Sequence, residues 1–350
     1  MPVWTDAEPL ICTTVVPEAP DVCTFSFSTA DACEFHYRAG QFISLELPVP
    51  GGPVVRTYTL SSSPSRPRSI SVTVKAQAGS VGSRWMLDHL RPGHTLKATG
   101  PAGTFTLPEP DTGKYLFISA GSGVTPALSM STWLYDAGRD PDICFVQCVR
   151  SPADIIARRR MEGLAARVPA IRLHYVVEMD EPFTVWTGYR GHLSQIMLGS
   201  MAPDFRERDV YCCGPEPFMQ AVRDMLNGLS FDMERYHQES FGSAAQALSG
   251  DDVASDDIVP DGTVGSRVMF GQSAVTVDCR ESDTLLAVAR EAGLNIPSGC
   301  TMGLCGTCKV LKTAGTVHMV HNGGISDEEI EEGFVLACCS HPIGTVEIAV

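Results

Sequence analysis

Hydrophobic and polar positions divide the chain into regions of different periodicity. In residues 1–110, short runs that alternate apolar and polar residues are separated by Gly, Pro and Ser, as in QFISLELPV (41–49), VVRTYTLSS (54–62) and SISVTVKA (69–76). Runs of this kind are typical of strands. The region is therefore predicted to be an all-β barrel.

Residues 111–242 show a different pattern, in which apolar runs alternate with helical periodicity. The runs are KYLFISA (114–120), ICFVQCV (143–149), IRLHYVVE (171–178) and DVYCCG (209–214). Between or after them come helical segments such as ALSMSTWLYDAG (127–138), ADIIARRRMEGLAAR (153–167) and FMQAVRDMLNGL (218–229). This alternation predicts an α/β domain with a parallel sheet of βαβ units.

The last part of the chain begins after a segment that is nearly free of large apolar groups. Residues 243–265 are small and acidic, which predicts a flexible linker. From residue 266 to residue 350, the strand-like runs SRVMFG and AVTVDC and the helical run DTLLAVAREAG predict a third compact unit. The expected fold class is therefore multi-domain.

Charge and cysteine content narrow the possible functions. The net charge of −15 disfavours nucleic acid and anionic membranes as partners. The first residues have neither the basic nor the apolar stretch of a secretory signal, so we expect a cytoplasmic protein. In that compartment, 13 cysteines indicate free thiols and metal ligands rather than disulfides.

Three of those cysteines are clustered. Cys300, Cys305 and Cys308 form C-x4-C-x2-C in a glycine-rich loop, and FVLACCSHP adds Cys338 and Cys339 thirty residues later. This spacing is the plant-type [2Fe–2S] pattern. A structural zinc site with Cys338 or His341 as fourth ligand is the alternative.

The cysteine segments also resemble a known domain. SGCTMGLCGTCKV together with FVLACCSHP is similar to the plant-type ferredoxin domain, which has an α+β β-grasp fold. The resemblance implies that Cys338 is the fourth cluster ligand and that Cys339 is its neighbour.

A second resemblance lies in the first domain. RTYTLSS (56–62) is similar to the R-x-Y-[ST]-x-x-S signature of the ferredoxin reductase flavin barrel, and SISVTVK and GSVGSRW follow in the family's order. Physically, an arginine can neutralise a flavin phosphate and a tyrosine can lie on the isoalloxazine ring. The resemblance implies FAD, with FMN as the less favoured alternative, held by Arg56, Tyr58, Thr59, Ser62, Lys75, Val81, Gly82 and Ser83.

The second domain carries a nucleotide signature. YLFISAGSGVTPALSM places Gly121 and Gly123 after a strand, with Thr125 and Pro126 expected as N-cap and first helical residue. This resembles the G-x-G-x-T-P loop of ferredoxin reductase-like nucleotide domains. The same resemblance assigns Cys213, Gly214 and Pro215 to a loop beside the nicotinamide, and RYHQESFG places Glu239 and Phe241 near the flavin. Thr59, Cys213 and Glu239 are the expected catalytic residues.

Two carboxylates bear on the choice of nucleotide. Glu178 and Asp180 follow the strand IRLHYVV, where they would repel a 2′-phosphate and accept hydrogen bonds from ribose hydroxyls. NADH is therefore the expected nucleotide. Arg150 and the run Arg158 to Arg160 keep NADPH open, although such a run is more often a solvated helix face.

The order of flavin, nucleotide and ferredoxin domains resembles reductase components of Rieske-type oxygenases, and within them the reductases of glycine betaine and related quaternary-amine monooxygenases. The resemblance implies a terminal Rieske-type oxygenase as partner. Two alternatives stay open: the NADH oxidoreductase of hybrid-cluster protein, which shares this architecture, and a non-catalytic module that senses redox state through flavin and iron–sulfur groups.

Overall fold

The computed structural model describes residues 2–76, 80–108, 113–139, 141–181, 185–240, 265–298, 303, 306–321 and 324–350. The chain divides into two compact units, Met1–Phe241 and Gly242–Val350. The predicted linker, residues 243–265, lies outside the described residues except for Gly265, which already opens a strand.

The first unit begins with an antiparallel six-stranded sheet. Its strands are β1 (Leu10–Ala19), β2 (Val22–Ser28), β3 (Phe42–Leu47), β4 (Val54–Thr59), β5 (Ile70–Lys75) and β6 (Thr95–Ala102), in the order β4-β3-β6-β1-β2-β5. A bridge between Leu60 and Val72 joins the two edges, so the sheet closes into the predicted barrel. Helix α1 (Val81–His89) packs against it, and Phe25, Phe27, Ile43 and Leu45 fill its core.

The same unit continues into a parallel sheet flanked by helices. Its strands are β7 (Lys114–Ala120), β8 (Asp142–Val149), β9 (Ile171–Val177), β10 (Tyr189–Arg190), β11 (Asp209–Gly214) and β12 (Tyr236–Ser240), in the order β10-β9-β8-β7-β11-β12. The helices are α2 (Thr125–Asp136), α3 (Arg158–Ala165), α4 (Gln195–Met201) and α5 (Glu216–Gly228). Separate apolar clusters cover its two faces, which explains its almost continuously apolar central strands.

The second unit is a mixed five-stranded sheet with short helices. Its elements are β13 (Gly265–Phe270), β14 (Val275–Arg280), α6 (Leu285–Glu291), β15 (Lys309–Met319), α7 (Asp327–Glu331), β16 (Phe334–Leu336) and β17 (Ser340–Ile348). The strand order is β14-β13-β17-β15-β16, with β13 parallel to β17 and the other pairs antiparallel. Val268, Phe270, Leu285 and Val346 lie in its core.

Across the described residues, no helix combines the length and apolar character needed to cross a lipid bilayer.

Candidate functional site

Arg56 and the first turn of α1 form a cationic corner of the barrel. A Cβ at Gly82 would lie 3.0 Å from Arg56 Cγ and 3.5 Å from its Nε, so a glycine here lets the helix start pack closely against the arginine side chain. Val81 opens the helix, and the hydroxyls of Ser80 and Ser83 are 2.5 Å apart beside it. A guanidinium next to the N–H groups of a helix start fits a diphosphate.

Tyr58 follows on the same strand as Arg56. Its hydroxyl oxygen is buried and has no hydrogen-bond partner among the described residues. Burial raises the pKa of Tyr58, and the positive charge of Arg56 acts in the opposite direction. Because buried polar groups are nearly always hydrogen-bonded, this hydroxyl is suited to a bound polar group.

The hydroxyl of Ser62, by contrast, is engaged within the protein. It accepts a hydrogen bond from the Ser71 backbone N–H at 2.9 Å and lies 2.8 Å from the Tyr37 hydroxyl. Its carbonyl accepts from the Ser129 hydroxyl of α2 at 2.5 Å. Ser62 therefore joins the barrel to the parallel sheet domain.

Thr59, Cys213 and Glu239 come together from β4, β11 and β12. Cys213 and Glu239 are paired across adjacent parallel strands. Glu239 is 5% exposed, and neither of its carboxylate oxygens has a partner among the residues that the structure describes. Burial raises the pKa of Glu239 to about 8, partly offset by the Thr59 hydroxyl. Burial therefore favours the neutral form of the Glu239 carboxyl.

The environment of Cys213 is also apolar. Burial, and then the negative charge that Glu239 would carry, raise the pKa of the Cys213 thiol well above its ordinary value. The hydroxyl of Thr59 is likewise buried and unpartnered within the described part of the chain. We call these three residues, together with Tyr58 next to Thr59 on β4, the barrel–sheet junction. Its unsatisfied polar atoms fit a polar ring system such as that of a flavin.

The prediction for the N-cap of α2 is wrong by one residue. Gly121–Val124 form a 3₁₀ turn that runs directly into α2, so Val124 is the N-cap and Thr125 the first helical residue. Val124 already has helical dihedral angles, φ −68° and ψ −21°. The Thr125 hydroxyl donates to the Ser122 carbonyl at 3.1 Å instead of capping the helix, and Pro126 is the second residue.

Gly123 lies where the two predicted nucleotide loops meet. A Cβ at this position would lie 2.2 Å from the Cys213 carbonyl oxygen, closer than any side chain permits. At Gly214, a Cβ would lie 2.9 Å from Phe218 and 3.0 Å from Ala120. The glycines therefore let the turn after β7 pack against the end of β11, at the edge where parallel sheets bind ligands.

Two further predicted residues border this edge. Lys75, at the end of β5, has its ammonium 3.9 Å from where a Cβ of Gly121 would stand. Gly121 itself has a φ of +54°. Pro215 is the N-cap residue of α5. A barrel lysine thus lies beside the loop predicted to bind the phosphates of the nucleotide.

Of the two carboxylates after β9, Asp180 forms an ion pair with an arginine, and Glu178 lies near a histidine ring. Arg190 donates to Asp180 Oδ2 at 2.5 Å, and His192 Nδ1 lies 3.6 Å from Glu178 Oε1. The sequence analysis did not identify Arg190 and His192. They lie beside β9 because of strand β10, which has only two residues and is too short to give a recognisable sequence pattern. The parallel pairing of Arg190 with Val177 brings them there.

The arginine run contributes to the domain itself. Arg158 forms an ion pair with Glu162 at 2.8 Å and lies 5.9 Å from the ring centroids of Tyr175 and Trp186. Arg160 donates to the Thr132 hydroxyl at 2.8 Å. Two of the three arginines, Arg158 and Arg160, therefore contact other residues of the first unit.

In the second unit, backbone N–H groups point at two cysteine sulfurs. Gly303 N–H donates to Cys338 Sγ at 3.3 Å, and Cys338 N–H donates to Cys308 Sγ at 3.4 Å. Both cysteines are buried. The Cys339 thiol instead donates to the Leu336 carbonyl at 3.7 Å. Sulfurs that accept N–H bonds fit thiolate ligands of an iron–sulfur cluster.

Three predicted site residues, Phe241, Cys300 and Cys305, lie outside the described residues. Gly303 and Gly306, each with a φ of +70°, mark the described parts of the cysteine loop. A Cβ at Gly303 would lie 2.8 Å from Cys339 Sγ and 2.8 Å from His321 Cα, so this loop position requires glycine.

Three family models match the chain in the predicted order. They are the oxidoreductase FAD-binding domain at residues 11–107, the oxidoreductase NAD-binding domain at residues 117–224 and the 2Fe-2S iron-sulfur cluster binding domain at residues 269–342. They confirm the predicted cofactors FAD, NADH and [2Fe–2S], and favour an iron–sulfur cluster over zinc.

Relatives match over nearly the whole chain. The stachydrine N-demethylase reductase subunit Stc4 of Rhizobium meliloti (strain 1021) is 57% identical over 99% of this chain and 97% of its own length. The glycine betaine monooxygenase reductase subunit of Pseudomonas aeruginosa (strain UCBPP-PA14) is 42% identical, with 99% and 96% covered. These relatives confirm the predicted family.

Among solved structures, phthalate dioxygenase reductase matches with a TM-score of 0.62 at 21% identity. The match covers 99% of this chain and 100% of that one. It confirms the predicted fold class, a flavin barrel followed by a parallel nucleotide domain and a ferredoxin domain.

Proposed function

Because this chain belongs to the family of oxygenase reductase subunits with FAD-binding, NAD-binding and 2Fe-2S domains, we propose that it delivers electrons from NADH to a Rieske-type oxygenase that demethylates a quaternary amine. The chain is an NAD(P)H-dependent oxidoreductase. The observation that carries the choice of partner is the 57% identity to a stachydrine demethylase reductase subunit.

In this proposal, the barrel binds FAD through the cationic corner and the barrel–sheet junction. Arg56 and the first turn of α1 hold the diphosphate, and Tyr58 provides a flat surface and a hydroxyl for the ring. Gly121, Gly123 and Thr125 let the nucleotide loop approach the phosphates of NADH, with Lys75 beside it. Bound there, FAD would supply hydride acceptance from NADH and one-electron transfer toward a [2Fe–2S] cluster.

Glu239 and its neighbours determine the protonation of the reacting centre. With a pKa of about 8, Glu239 carries a proton at neutral pH and can donate a hydrogen bond into the junction. The buried Cys213 thiol also stays protonated. The residues around the reacting atoms thus add no negative charge, which favours the approach of an electron-rich hydride donor.

We assign the cluster to Cys300, Cys305, Cys308 and Cys338, with Cys339 outside the ligand set. The N–H bonds to the sulfurs of Cys308 and Cys338, against the carbonyl-bound thiol of Cys339, support this assignment. The hydrogen bond from the Cys338 N–H to Cys308 Sγ also fixes the two ligands relative to each other.

The proposed domain limits are 1–110 for the flavin barrel, 111–242 for the NAD-binding domain, 243–265 for the linker and 266–350 for the ferredoxin domain. The change from one compact unit to the next at residue 242 supports the position of the linker. We also propose a cytoplasmic location, which suits a chain with 13 cysteines and supplies NADH.

The test is reconstitution with demethylating oxygenases. Purified protein, NADH and a Rieske-type oxygenase are combined with stachydrine, glycine betaine, dimethylglycine or carnitine, and released formaldehyde is measured. We expect formaldehyde with a quaternary amine only when all three components are present. NADH oxidation accelerated by hybrid-cluster protein but by none of the oxygenases would contradict the proposal, as would failure to sustain turnover with any one-electron acceptor.

A further inference from the structure

Helix α2 is hydrogen-bonded to the barrel at two places along its length. The Ser129 hydroxyl, one turn after the start of the helix, donates to the Ser62 carbonyl at 2.5 Å. At the last residue of the helix, the Asp136 carboxylate accepts two hydrogen bonds from the Arg66 guanidinium, at 2.9 and 3.0 Å, and one from the Ser65 hydroxyl at 2.6 Å. We call these five residues the α2 polar interface.

Both sides of the α2 polar interface continue into predicted cofactor motifs. On the barrel side, Ser62 ends the flavin signature, residues 56–62, and the loop after it is held on the barrel by a hydrogen bond from the Phe35 N–H to the Pro67 carbonyl at 2.7 Å. On the other side, α2 begins at Thr125 of the nucleotide loop. A displacement of α2 against the barrel would therefore displace the nucleotide loop against the flavin signature.

Apolar contacts also join α2 to the barrel region. Val22 and Ala39 of the barrel region share one apolar cluster with Ala127 and Met130 of α2. Such contacts are non-directional, so they hold two surfaces together without fixing a small rotation or translation of one against the other. Hydrogen bonds depend on distance and angle, and the two bonded places lie seven residues apart, about 10 Å along the helix. They can therefore set the orientation of α2.

The two bonded places differ in chemistry. Ser129 is fully buried, so its hydrogen bond to the barrel is protected from water. The Asp136 side chain is 13% exposed, whereas that of Arg66 is 65% exposed. Burial alone would raise the pKa of Asp136, but the hydrogen bonds from Arg66 and Ser65 outweigh burial and hold this pKa below its ordinary value. Asp136 is therefore an ionised carboxylate that accepts the two parallel hydrogen bonds of an arginine.

We propose that the α2 polar interface sets the position of the nucleotide loop relative to the flavin residues of the barrel, and that Ser129 and Asp136 are positioning residues for hydride transfer. Hydride transfer requires reacting atoms about 3–3.5 Å apart, and a displacement of about 1 Å can cost about 100-fold in rate. Both residues act through α2 and the loop at its start. The inference rests on the proposed function, in which NADH reduces a flavin bound in the barrel.

The test begins with Asp136→Asn and Ser129→Ala in the full-length holoenzyme. Asp136→Asn removes the ionic partner of Arg66, and Ser129→Ala removes the buried hydrogen bond to the barrel. In stopped-flow experiments, the limiting rate of flavin reduction by NADH should fall about tenfold in each variant and about 100-fold in the double variant, while the Kd of NADH changes by less than about twofold. The matched control is Asp88→Asn, which breaks an equally bidentate pair with Arg84 within α1 and should leave the rate unchanged.

Two further measurements do not depend on turnover. The charge-transfer absorbance of the reduced flavin with NAD⁺ reports on how closely the two rings stack, and it should fall by at least about half in the double variant. In the flavin-free protein, hydrogen–deuterium exchange should become at least about threefold faster in residues 60–69 and in the first turn of α2, and should stay unchanged in β8. A purely structural role would leave the charge-transfer absorbance of the folded, flavin-loaded variant as it is.

The outcomes separate the inference from the proposed function. If the double variant reduces its flavin at the wild-type rate, or if only the Kd of NADH changes, the positioning role is refuted while the proposed function stands. If the double variant does not fold or loses its flavin, the same criteria are applied to the single variants. If the wild type does not oxidise NADH, the proposed function fails, and hydrogen exchange in the flavin-free protein decides whether the α2 polar interface orders the two loops.

Discussion

The buried polar atoms of the barrel–sheet junction and those of the ferredoxin unit differ in their hydrogen bonding. At the junction, the hydroxyls of Tyr58 and Thr59 and the carboxylate of Glu239 are buried without partners among the described residues. In the ferredoxin unit, the sulfurs of Cys308 and Cys338 already accept backbone N–H groups.

This difference follows from the chemistry proposed for each site. A flavin brings its own donors and acceptors, so the junction leaves its polar groups available to them. A cluster brings sulfur and iron and depends on the surrounding backbone for hydrogen bonds to the thiolates. At the junction, the cofactor would supply the missing hydrogen-bond partners. In the ferredoxin unit, the chain itself supplies the hydrogen bonds to the ligand sulfurs.

The largest effect is expected for the cysteine pair. Cys338→Ala should lose the cluster, and cytochrome c reduction should fall by at least about 100-fold, because an essential ligand is missing. Cys339→Ala should keep the cluster, since its thiol is bound to a carbonyl. Iron content and the visible spectrum measure both, and NADH–ferricyanide activity should persist in each. Full iron content in Cys338→Ala would reverse the ligand assignment.

A next, smaller effect is expected at the nucleotide edge. Gly123→Ala should reduce kcat/KM for NADH by about 100-fold, because a Cβ 2.2 Å from the Cys213 carbonyl forces the two loops apart. Gly163→Ala in α3 is the matched control, with no atom within 4 Å of the added Cβ. Stopped-flow flavin reduction measures both. Equal rates in the two variants would show that this close approach is not needed for hydride transfer.

Arg56→Ala tests whether the cationic corner depends on its arginine. Loss of a charge-assisted phosphate contact should weaken FAD binding by about 1.5–3 kcal/mol, roughly 10- to 150-fold in Kd. Arg84→Ala removes a cation from the neighbouring helix α1, but one paired with Asp21 and Asp88, and should retain flavin. The measurement is the flavin to protein ratio after gel filtration. Full occupancy in Arg56→Ala would argue against the diphosphate role.

The smallest effect concerns the pH dependence of the flavin-free protein. The folded-state pKa of Glu239, about 8, exceeds that of the unfolded chain, so its contribution to stability is greatest below the unfolded pKa and falls as pH rises toward 8. Glu239→Gln should remove this fall, a difference of roughly 1–2 kcal/mol between pH 5 and pH 8 once water entering the flavin-free junction relieves part of the burial.

Urea unfolding followed by tryptophan fluorescence isolates that effect, because all four tryptophans precede residue 242. The signal therefore reports on the first unit alone. The prediction fails if wild type and Glu239→Gln show the same slope of stability against pH. In that event the carboxyl would be ionised in the folded junction, and its partner would have to be sought there.

Local patterns were sufficient for much of this protein. Alternation with a period of two predicts the barrel strands, and apolar runs joined by helical segments predict the parallel sheet. Short motifs likewise placed Arg56 and Tyr58 on one strand and the glycines at a strand end. In each case the information lies within a few residues, because strand alternation and turn geometry are properties of neighbouring positions.

Only the tertiary structure decided the contacts between distant segments. The approach of Gly123 to Cys213, the burial of Glu239 against Thr59 and the pairing of Asp180 with Arg190 depend on strand order and on the packing of the barrel against the parallel sheet. The one-residue error at Thr125 has a similar cause, since a 3₁₀ turn extends the helix backwards. The sequence determines which groups are present, and long-range packing determines which of them meet, bury their charge or neutralise one another.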